Sequence, residues 1–195
     1  MRTGICFLRS FPGFVPFFPG PGVGGHCIPL DPFYLTYKAR EFDYHTRLIE
    51  LSGEINDGMP EYVVERLMDM LNDEGKALRN SIVLILGVAY KEEIDDLRES
   101  PALKVWDVLE KKGAAISYHD PYCPTVKRGD GVRHSVVLTP ELLQGCDAVV
   151  ITTAHKKTVD YNMVVENASL VFDTKNVISK VLSIDVKDIH NLRRL

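Results

Sequence analysis

The spacing of hydrophobic positions changes near residue 80 and divides the chain into two parts. From Thr46 to Leu71, apolar residues recur three or four positions apart, which predicts a helical region. Gly53, Gly58 and Pro60 interrupt this region. Because proline fits the first turn of a helix, we expect Pro60 to begin a second helical segment.

The second part alternates short Ile- and Val-rich runs with helical segments, which is typical of a parallel sheet with crossover helices. Strands are predicted at 81–86, 114–118, 148–153 and 170–172, and helices at 101–112, 139–144 and 158–167. Ligands of such sheets bind outside the carboxyl ends of the strands. Those ends are residues 87–91, 119–121, 152–155 and 173–175, whereas the tail from Ser179 carries no functional prediction.

A glycine- and proline-rich stretch lies near the front of the chain. Residues 17–32 contain four glycines and four prolines, which predicts a shaped loop whose backbone can approach a ligand closely. Cys27 lies in its middle, with His26 before it and Asp31 four residues after it. We expect a helix over 32–40, with Asp31 as its N-terminal cap.

The composition and charge of the chain argue against several classes of function. The chain has 195 residues, of which 45% are hydrophobic and 26% charged, and its net charge is −4. This charge gives no reason to expect nucleic acid or an anionic membrane as a partner, and no apolar run is long enough to span a membrane. The four cysteines are scattered without a CxxC pair, which favours a reduced, cytoplasmic protein without a metal site.

The residues alone leave several roles open. A lone cysteine is often a small buried hydrophobe, but Cys27 lies among glycines and near a carboxylate, as a nucleophilic thiol would. Asp31 can cap a helix, can accept and donate protons during catalysis, or can do both. His26 is a weaker candidate base because adjacent side chains usually point apart. The GxGxGG run at 20–25 has no preceding strand and no downstream acid, so it is not a dinucleotide fingerprint.

Several motifs together resemble the nucleotide-sugar (UDP-sugar) 6-dehydrogenases. They are Gly24-Gly25-His26-Cys27-Ile28-Pro29-Leu30-Asp31-Pro32, Gly53-Glu54-Ile55-Asn56, Gly87-Val88-Ala89-Tyr90-Lys91, Asp96-Leu97-Arg98-Glu99-Ser100-Pro101, His119-Asp120-Pro121 and Asp173-Thr174-Lys175-Asn176. Their order along the chain matches the family. The amino-acid sequence of the cysteine motif resembles that of the UDP-N-acetylhexosamine enzymes more than that of the UDP-glucose enzymes.

The resemblance implies a role for each matching residue. Cys27 would attack the C6 aldehyde of the substrate, and Asp31 would organise water and proton transfer when the resulting thioester is hydrolysed. The backbone of Gly24 and Gly25 would hold the sugar. The further substrate-binding residues would be Phe17, Phe18, Tyr90, Lys91 and Lys175, and Arg98 would contact the nicotinamide cofactor.

The resemblance also implies the fold and the domains. We expect an unmatched, disordered start at 1–12, the catalytic-cysteine loop at 13–36 and a central helical dimerisation region at 37–78. Residues 79–195 would form the UDP-sugar-binding α/β domain, with a Rossmann-like parallel sheet. Intact members carry an N-terminal NAD-binding domain before the loop. This sequence has no strand–GxGxxG–helix unit, so that domain and the main NAD site are expected to be missing.

The expected function is NAD-dependent oxidation of a UDP-sugar 6-hydroxyl to a uronic acid, with UDP-N-acetylglucosamine or UDP-N-acetylmannosamine favoured over UDP-glucose. The chain would be a homodimer through its central helices and inactive on its own. The alternative is a non-catalytic UDP-sugar-binding and dimerisation fragment of the same family. A cysteine hydrolase or redox protein is disfavoured, because neither a triad nor a CxxC motif is present.

Overall fold

The protein is described here by a computed structural model that covers residues 18–183 and 189–195. Two helices come first, α1 at Cys27–Arg40 and α2 at Arg47–Asp73. The α/β part follows, with helices α3 at Pro101–Lys111, α4 at Pro140–Gln144, α5 at Tyr161–Asn167 and α6 at Ile178–Leu182. No helix among the described residues is both long enough and apolar enough to cross a membrane.

The centre of the α/β part is a five-stranded sheet in which every described pairing is parallel. Its strands are β1 at Ile82–Leu86, β2 at Ala115–His119, β5 at Ala148–Ile151, β6 at Val171–Asp173 and β7 at Leu192–Arg194, in the order β2-β1-β5-β6-β7. From β1 the chain moves to one side, and from β5 it moves to the other. The strand order therefore reverses between β1 and β5, where doubly wound sheets bind their ligands.

Alternate residues of the strands pack into two layers, as the strand period of two requires. Val83 and Ile85 of β1 lie in one core with Val63 and Leu67 of α2 and Trp106 of α3. Leu84 and Leu86 lie on the opposite face, in a second core. This confirms the predicted Rossmann-like α/β fold and its preceding helices.

The expected break at Pro60 is wrong, since α2 continues through it as one 27-residue helix. Pro60 removes one backbone hydrogen bond. However, it is buried itself and lies on a continuous buried face with Val63, Val64 and Leu67. Packing of this face against the α/β part outweighs the lost bond.

Four elements among the described residues had no counterpart in the predicted set, namely helix α6 and strands β3, β4 and β7. Strands β3 at Thr125–Arg128 and β4 at Gly131–His134 form an antiparallel hairpin, whose turn contains Gly129 in the left-handed region. Strand β7, from the tail that carried no functional prediction, pairs with β6 at the edge of the sheet. The Gly-Asp-Gly run at 129–131 was a usable hairpin signal.

Candidate active site

Cys27 is the first residue of α1, and it is exposed and free. Asp31 follows one helical turn later and is exposed as well. Residues four positions apart on a helix are neighbours on one face, with Cβ atoms roughly 5–6 Å apart. The thiol and the carboxylate therefore share one face of α1.

This geometry corrects the expectation that the helix begins at Pro32 with Asp31 as its cap. The N-cap of α1 is His26, and Asp31 lies inside the helix. The start at Cys27 is possible because Pro29 lies among the first residues of the helix, whose N–H groups have no intrahelical partner. Pro32 has no N–H and so removes one backbone hydrogen bond, but the helix α1 continues through it.

The Gly24-Gly25 turn packs directly against the α/β part. The N–H of Gly25 donates to the Arg98 carbonyl oxygen at 3.3 Å. A Cβ on Gly25 would lie 2.9 Å from Tyr90 Cε2, and one on Gly24 would lie 2.5 Å from the Glu99 carbonyl oxygen. Gly25 also has a φ of 92°, a conformation that other residues rarely adopt. The glycines are therefore required for this close approach.

The same loop is held by α2 through Asn56. The N–H of Val23 donates to Asn56 Oδ1 at 2.7 Å. A Cβ on Gly22 would lie 3.3 Å from Pro101 Cβ at the start of α3. Asn56 had no predicted role of its own, although it closes a motif that carried the family resemblance.

Phe18 and Lys175 lie at the other end of the loop. A Cβ on Gly20 would lie 3.0 Å from Lys175 Nζ, and Lys180 Nζ lies 4.6 Å from the centre of the Phe18 ring. Burial lowers the pKa of Lys175, with smaller contributions of both signs from Glu92, Lys180 and Lys156. Lys180 was missed because no motif marks it. Phe17, a predicted substrate residue, lies outside the described residues.

Tyr90 and Lys91 follow β1, at the point where the strand order reverses. The ring of Tyr90 packs against Gly25 of the glycine turn. Lys91 is exposed, and within residues 18–183 and 189–195 it makes no ion pair. Its ammonium group is thus available to an anionic ligand at the carboxyl edge of the sheet.

Arg98 is fixed by its neighbour Asp96 and not by a group across the site. Its Nε lies 2.9 Å from Asp96 Oδ1 and its second terminal nitrogen 2.6 Å from Oδ2. The hydrogen bond from Arg98 holds the pKa of Asp96 at about 2. The Arg98 side chain is 63% exposed, and its guanidinium has donors to spare beyond those used by Asp96.

The described residues do not fit an NAD site of their own. In 18–183 and 189–195 there is no strand–GxGxxG–helix unit to cradle a pyrophosphate. The same part of the chain contains no cluster of His, Cys, Asp and Glu that could hold a metal ion.

The fold and the site together define a doubly wound α/β domain on which a glycine turn packs, and this turn leads into a helix that carries an exposed thiol. Two family descriptions match the sequence. The central domain of the UDP-glucose/GDP-mannose dehydrogenase family matches residues 5–58, and the UDP binding domain of that family matches residues 84–180. The chain belongs to this family. The first match begins before residue 13, where the resemblance was expected to start.

Relatives and solved structures agree with this assignment. The chain is 33% identical to the UDP-N-acetyl-D-mannosamine dehydrogenase of Methanococcus maripaludis over 82% of its own length and 36% of the relative's. It is also 33% identical to the UDP-N-acetyl-D-glucosamine 6-dehydrogenase of Salmonella typhi, over 74% of this chain and 33% of that protein. The structure of a UDP-D-ManNAc dehydrogenase from Pyrococcus horikoshii aligns with a TM-score of 0.77 at 28% identity, covering 97% of this chain and 42% of that one. The chain thus spans little more than a third of the length of the relatives it matches.

Proposed function

We propose that this chain is the substrate-binding and nucleophile-bearing part of an NAD-dependent UDP-sugar 6-dehydrogenase. The observation that carries the proposal is the Gly24-Gly25 turn. It packs on Tyr90 and Arg98 of the UDP-binding domain and leads into Cys27 two residues later. A UDP-sugar held at the carboxyl edge of the sheet would therefore have its sugar directed toward the thiol.

In the proposed reaction, Cys27 adds as a thiolate to the C6 aldehyde of the UDP-sugar and forms a thiohemiacetal. NAD, held outside the described residues, would supply the oxidant for two steps: it would take one hydride from C6 of the alcohol to give the aldehyde, and a second NAD would take a hydride from the thiohemiacetal to give a thioester. Water then attacks the thioester carbonyl, which releases the carboxylate and returns the thiol. Asp31, one helical turn after Cys27 in α1, orients that water and accepts its proton. Arg98 is the residue proposed to reach NAD.

Lys91 and Lys175 are proposed to bind the diphosphate and the uridine part of the substrate, and Phe18 to pack against it. The relatives named for UDP-N-acetylmannosamine and UDP-N-acetylglucosamine favour an N-acetylhexosamine as the sugar. One observation favours the alternative of a non-catalytic UDP-sugar-binding fragment. The described residues offer no dinucleotide site, and the first hydride transfer requires one.

Alkylation of Cys27 tests the proposal on the chain as it stands. Iodoacetamide should label Cys27 readily because its thiol is exposed, whereas Cys123 and Cys146 are buried. Peptide mass spectrometry separates the Cys27 product from that of Cys6, and Cys27→Ser identifies its peptide. With UDP-N-acetylglucosamine at ten times its Kd, the labelling rate of Cys27 should fall about tenfold. UDP alone should protect less, because it lacks the sugar.

Unchanged labelling of Cys27 at a saturating UDP-sugar concentration would contradict the proposed nucleophile. Absence of any UDP-sugar binding by the folded chain would contradict the substrate class. Equal protection by UDP-glucose would remove the preference for an N-acetylhexosamine.

A further inference from the structure

Asp120 and His155 form a buried pair beneath the loop that carries Tyr90 and Lys91. Asp120 follows β2 and His155 follows β5, and the two side chains have no exposed surface. His155 Nε2 lies 3.1 Å from Asp120 Oδ2. Neither residue can touch a ligand from this position, and the proposed reaction uses neither of them.

The pair holds both ends of the 88–93 segment. Asp120 Oδ2 accepts hydrogen bonds from the N–H groups of Val88 at 2.7 Å and Ala89 at 3.1 Å. His155 Nδ1 accepts one from the N–H of Glu93 at 3.0 Å. Because Nδ1 accepts, the ring proton lies on Nε2, which donates it to Asp120. One bonded pair of side chains thus holds the backbone on either side of Tyr90 and Lys91, while the N–H of Tyr90 itself donates to the Asp96 carbonyl oxygen at 3.0 Å.

His155 bonds directly to the backbone only at the Glu93 end of the segment. Glu93 has a φ of 64°, which is uncommon for a residue with a side chain. Its carboxylate accepts hydrogen bonds from the Tyr122 hydroxyl and from the N–H of Lys157, and the Tyr122 ring packs on His155 with a centroid distance of 5.0 Å.

The Val88 end has additional support. The carbonyl oxygen of Val88 accepts from the Ser100 hydroxyl at 2.6 Å, and that of Ala89 accepts from the Thr153 hydroxyl at 2.5 Å. Loss of the imidazole should therefore release the Glu93 end of the segment first.

We propose that Asp120 and His155 are positioning residues: they fix the 88–93 segment so that Lys91 faces the UDP-sugar and Tyr90 supports the Gly24-Gly25 turn ahead of Cys27. The ligand part of this inference rests on the proposed function. The anchoring of the segment rests on the contacts alone.

Three variants of the full chain test the inference. His155→Phe fills the space but removes both polar contacts. His155→Gln keeps an amide that can donate to Asp120. Asp147→Ala is the matched control, since Asp147 also accepts from a backbone N–H, that of Ile82 at 2.8 Å, but at the opposite edge of the sheet.

Two quantities are measured, amide hydrogen exchange by NMR and the Kd for UDP by calorimetry. In His155→Phe the Glu93 amide should exchange at least about tenfold faster relative to Leu84 and Val150 in the sheet, because its buried acceptor is lost. The Kd for UDP should rise about tenfold. His155→Gln should recover part of both changes. Asp147→Ala should lower global stability without changing the Kd for UDP or the relative exchange of Glu93.

An exchange rate at Glu93 that rises only in step with the sheet amides would overturn the inference, and so would an unchanged Kd for UDP in a folded His155→Phe chain. If the unmodified chain binds neither UDP nor a UDP-sugar, the proposed function fails. The exchange of the Glu93 amide then decides by itself whether the pair anchors the segment.

Discussion

Gly25 lies so close to Tyr90 that a Cβ on the glycine would be 2.9 Å from a carbon of the tyrosine ring. This contact joins the helix pair that carries the thiol to the loop that follows β1. The geometry of Cys27 relative to the UDP-binding domain therefore depends in part on this contact, alongside the hydrogen bond from the Gly25 N–H to the Arg98 carbonyl oxygen.

Substitution of Gly25 by alanine should disrupt this contact. Gly25→Ala adds a clash with Tyr90 and places alanine at a φ of 92°, which costs about 1–3 kcal/mol. Urea unfolding should show a loss of this size in the free energy of unfolding, and the Kd for a UDP-sugar should rise.

Gly58→Ala is the control. A Cβ at Gly58 meets nothing within 4 Å in the helix interior, so this variant should be more stable by about 0.5–1 kcal/mol. Equal effects of the two substitutions would refute the close packing of Gly25.

Lowering the pH should reduce the free energy of unfolding, because the Asp120 carboxylate becomes protonated. Burial by itself raises the pKa of Asp120, but hydrogen bonds from His155 and the backbone N–H groups of Val88 and Ala89 outweigh burial and hold it at about 2, below the ordinary 3.8. A lowered pKa stabilises the folded state above the ordinary value, and this stabilisation is lost as pH falls from about 4 toward 2.

Urea unfolding at several pH values measures this dependence. Asp120→Asn should be less stable at pH 7 and should lose less stability between pH 4 and pH 2 than the unmodified chain. Asp69→Asn, at a carboxylate that is 70% exposed, should leave the pH profile almost unchanged. A profile for Asp120→Asn as steep as that of the unmodified chain would show that Asp120 does not control acid stability.

The exposed apolar surface of α2 is proposed to pair two copies of the chain. Leu48 is 78% exposed, Leu51 52% and Ile55 59%, and their spacing places them on one helical stripe. Beside this stripe, Leu48 and Phe33 help to line an apolar groove of about 460 Å³ between α1 and α2.

Sedimentation of the full chain tests this pairing. A dimer is expected at micromolar concentration, and replacing Leu48 and Ile55 together by Glu should raise its dissociation constant at least about hundredfold, because two apolar contacts are lost. Val137→Glu, at a side chain that is 78% exposed elsewhere, should leave the dimer intact. A monomeric unmodified chain, or a double variant with unchanged association, would contradict pairing through α2.

The α/β alternation was predictable because the strands of a parallel sheet are buried on both faces and appear as continuous apolar runs. Pro60 and Pro32 misled the prediction, because each proline was expected to begin a helix whereas both lie inside one. At Pro60, buried packing outweighs the lost hydrogen bond. The start of α1 at Cys27, which places Asp31 on the same helical face as the thiol, therefore came only from the structure.

The pairing of Asp120 with His155 was equally hidden from the sequence. The residues are 35 positions apart, and only the sheet order, which places β2 and β5 on either side of β1, brings their following loops together. The motifs identified the cysteine, the glycines and Lys91 as site candidates. The strand ends at 119–121 and 152–155 were located from the sequence, but the burial of Asp120 and His155 and their contact with each other came only from the structure.

Calorimetric titration of the full chain with UDP-N-acetylglucosamine, UDP-glucose and NAD in parallel tests the central claim most directly. The account predicts that a UDP-sugar binds, that NAD gives no binding heat, and that Lys91→Ala weakens UDP-sugar binding about tenfold or more. Lys127→Ala, at another exposed lysine, should leave that binding unchanged. A folded chain that binds neither UDP-sugar would contradict the account, because the glycine turn, Tyr90 and Lys91 would then form no substrate site.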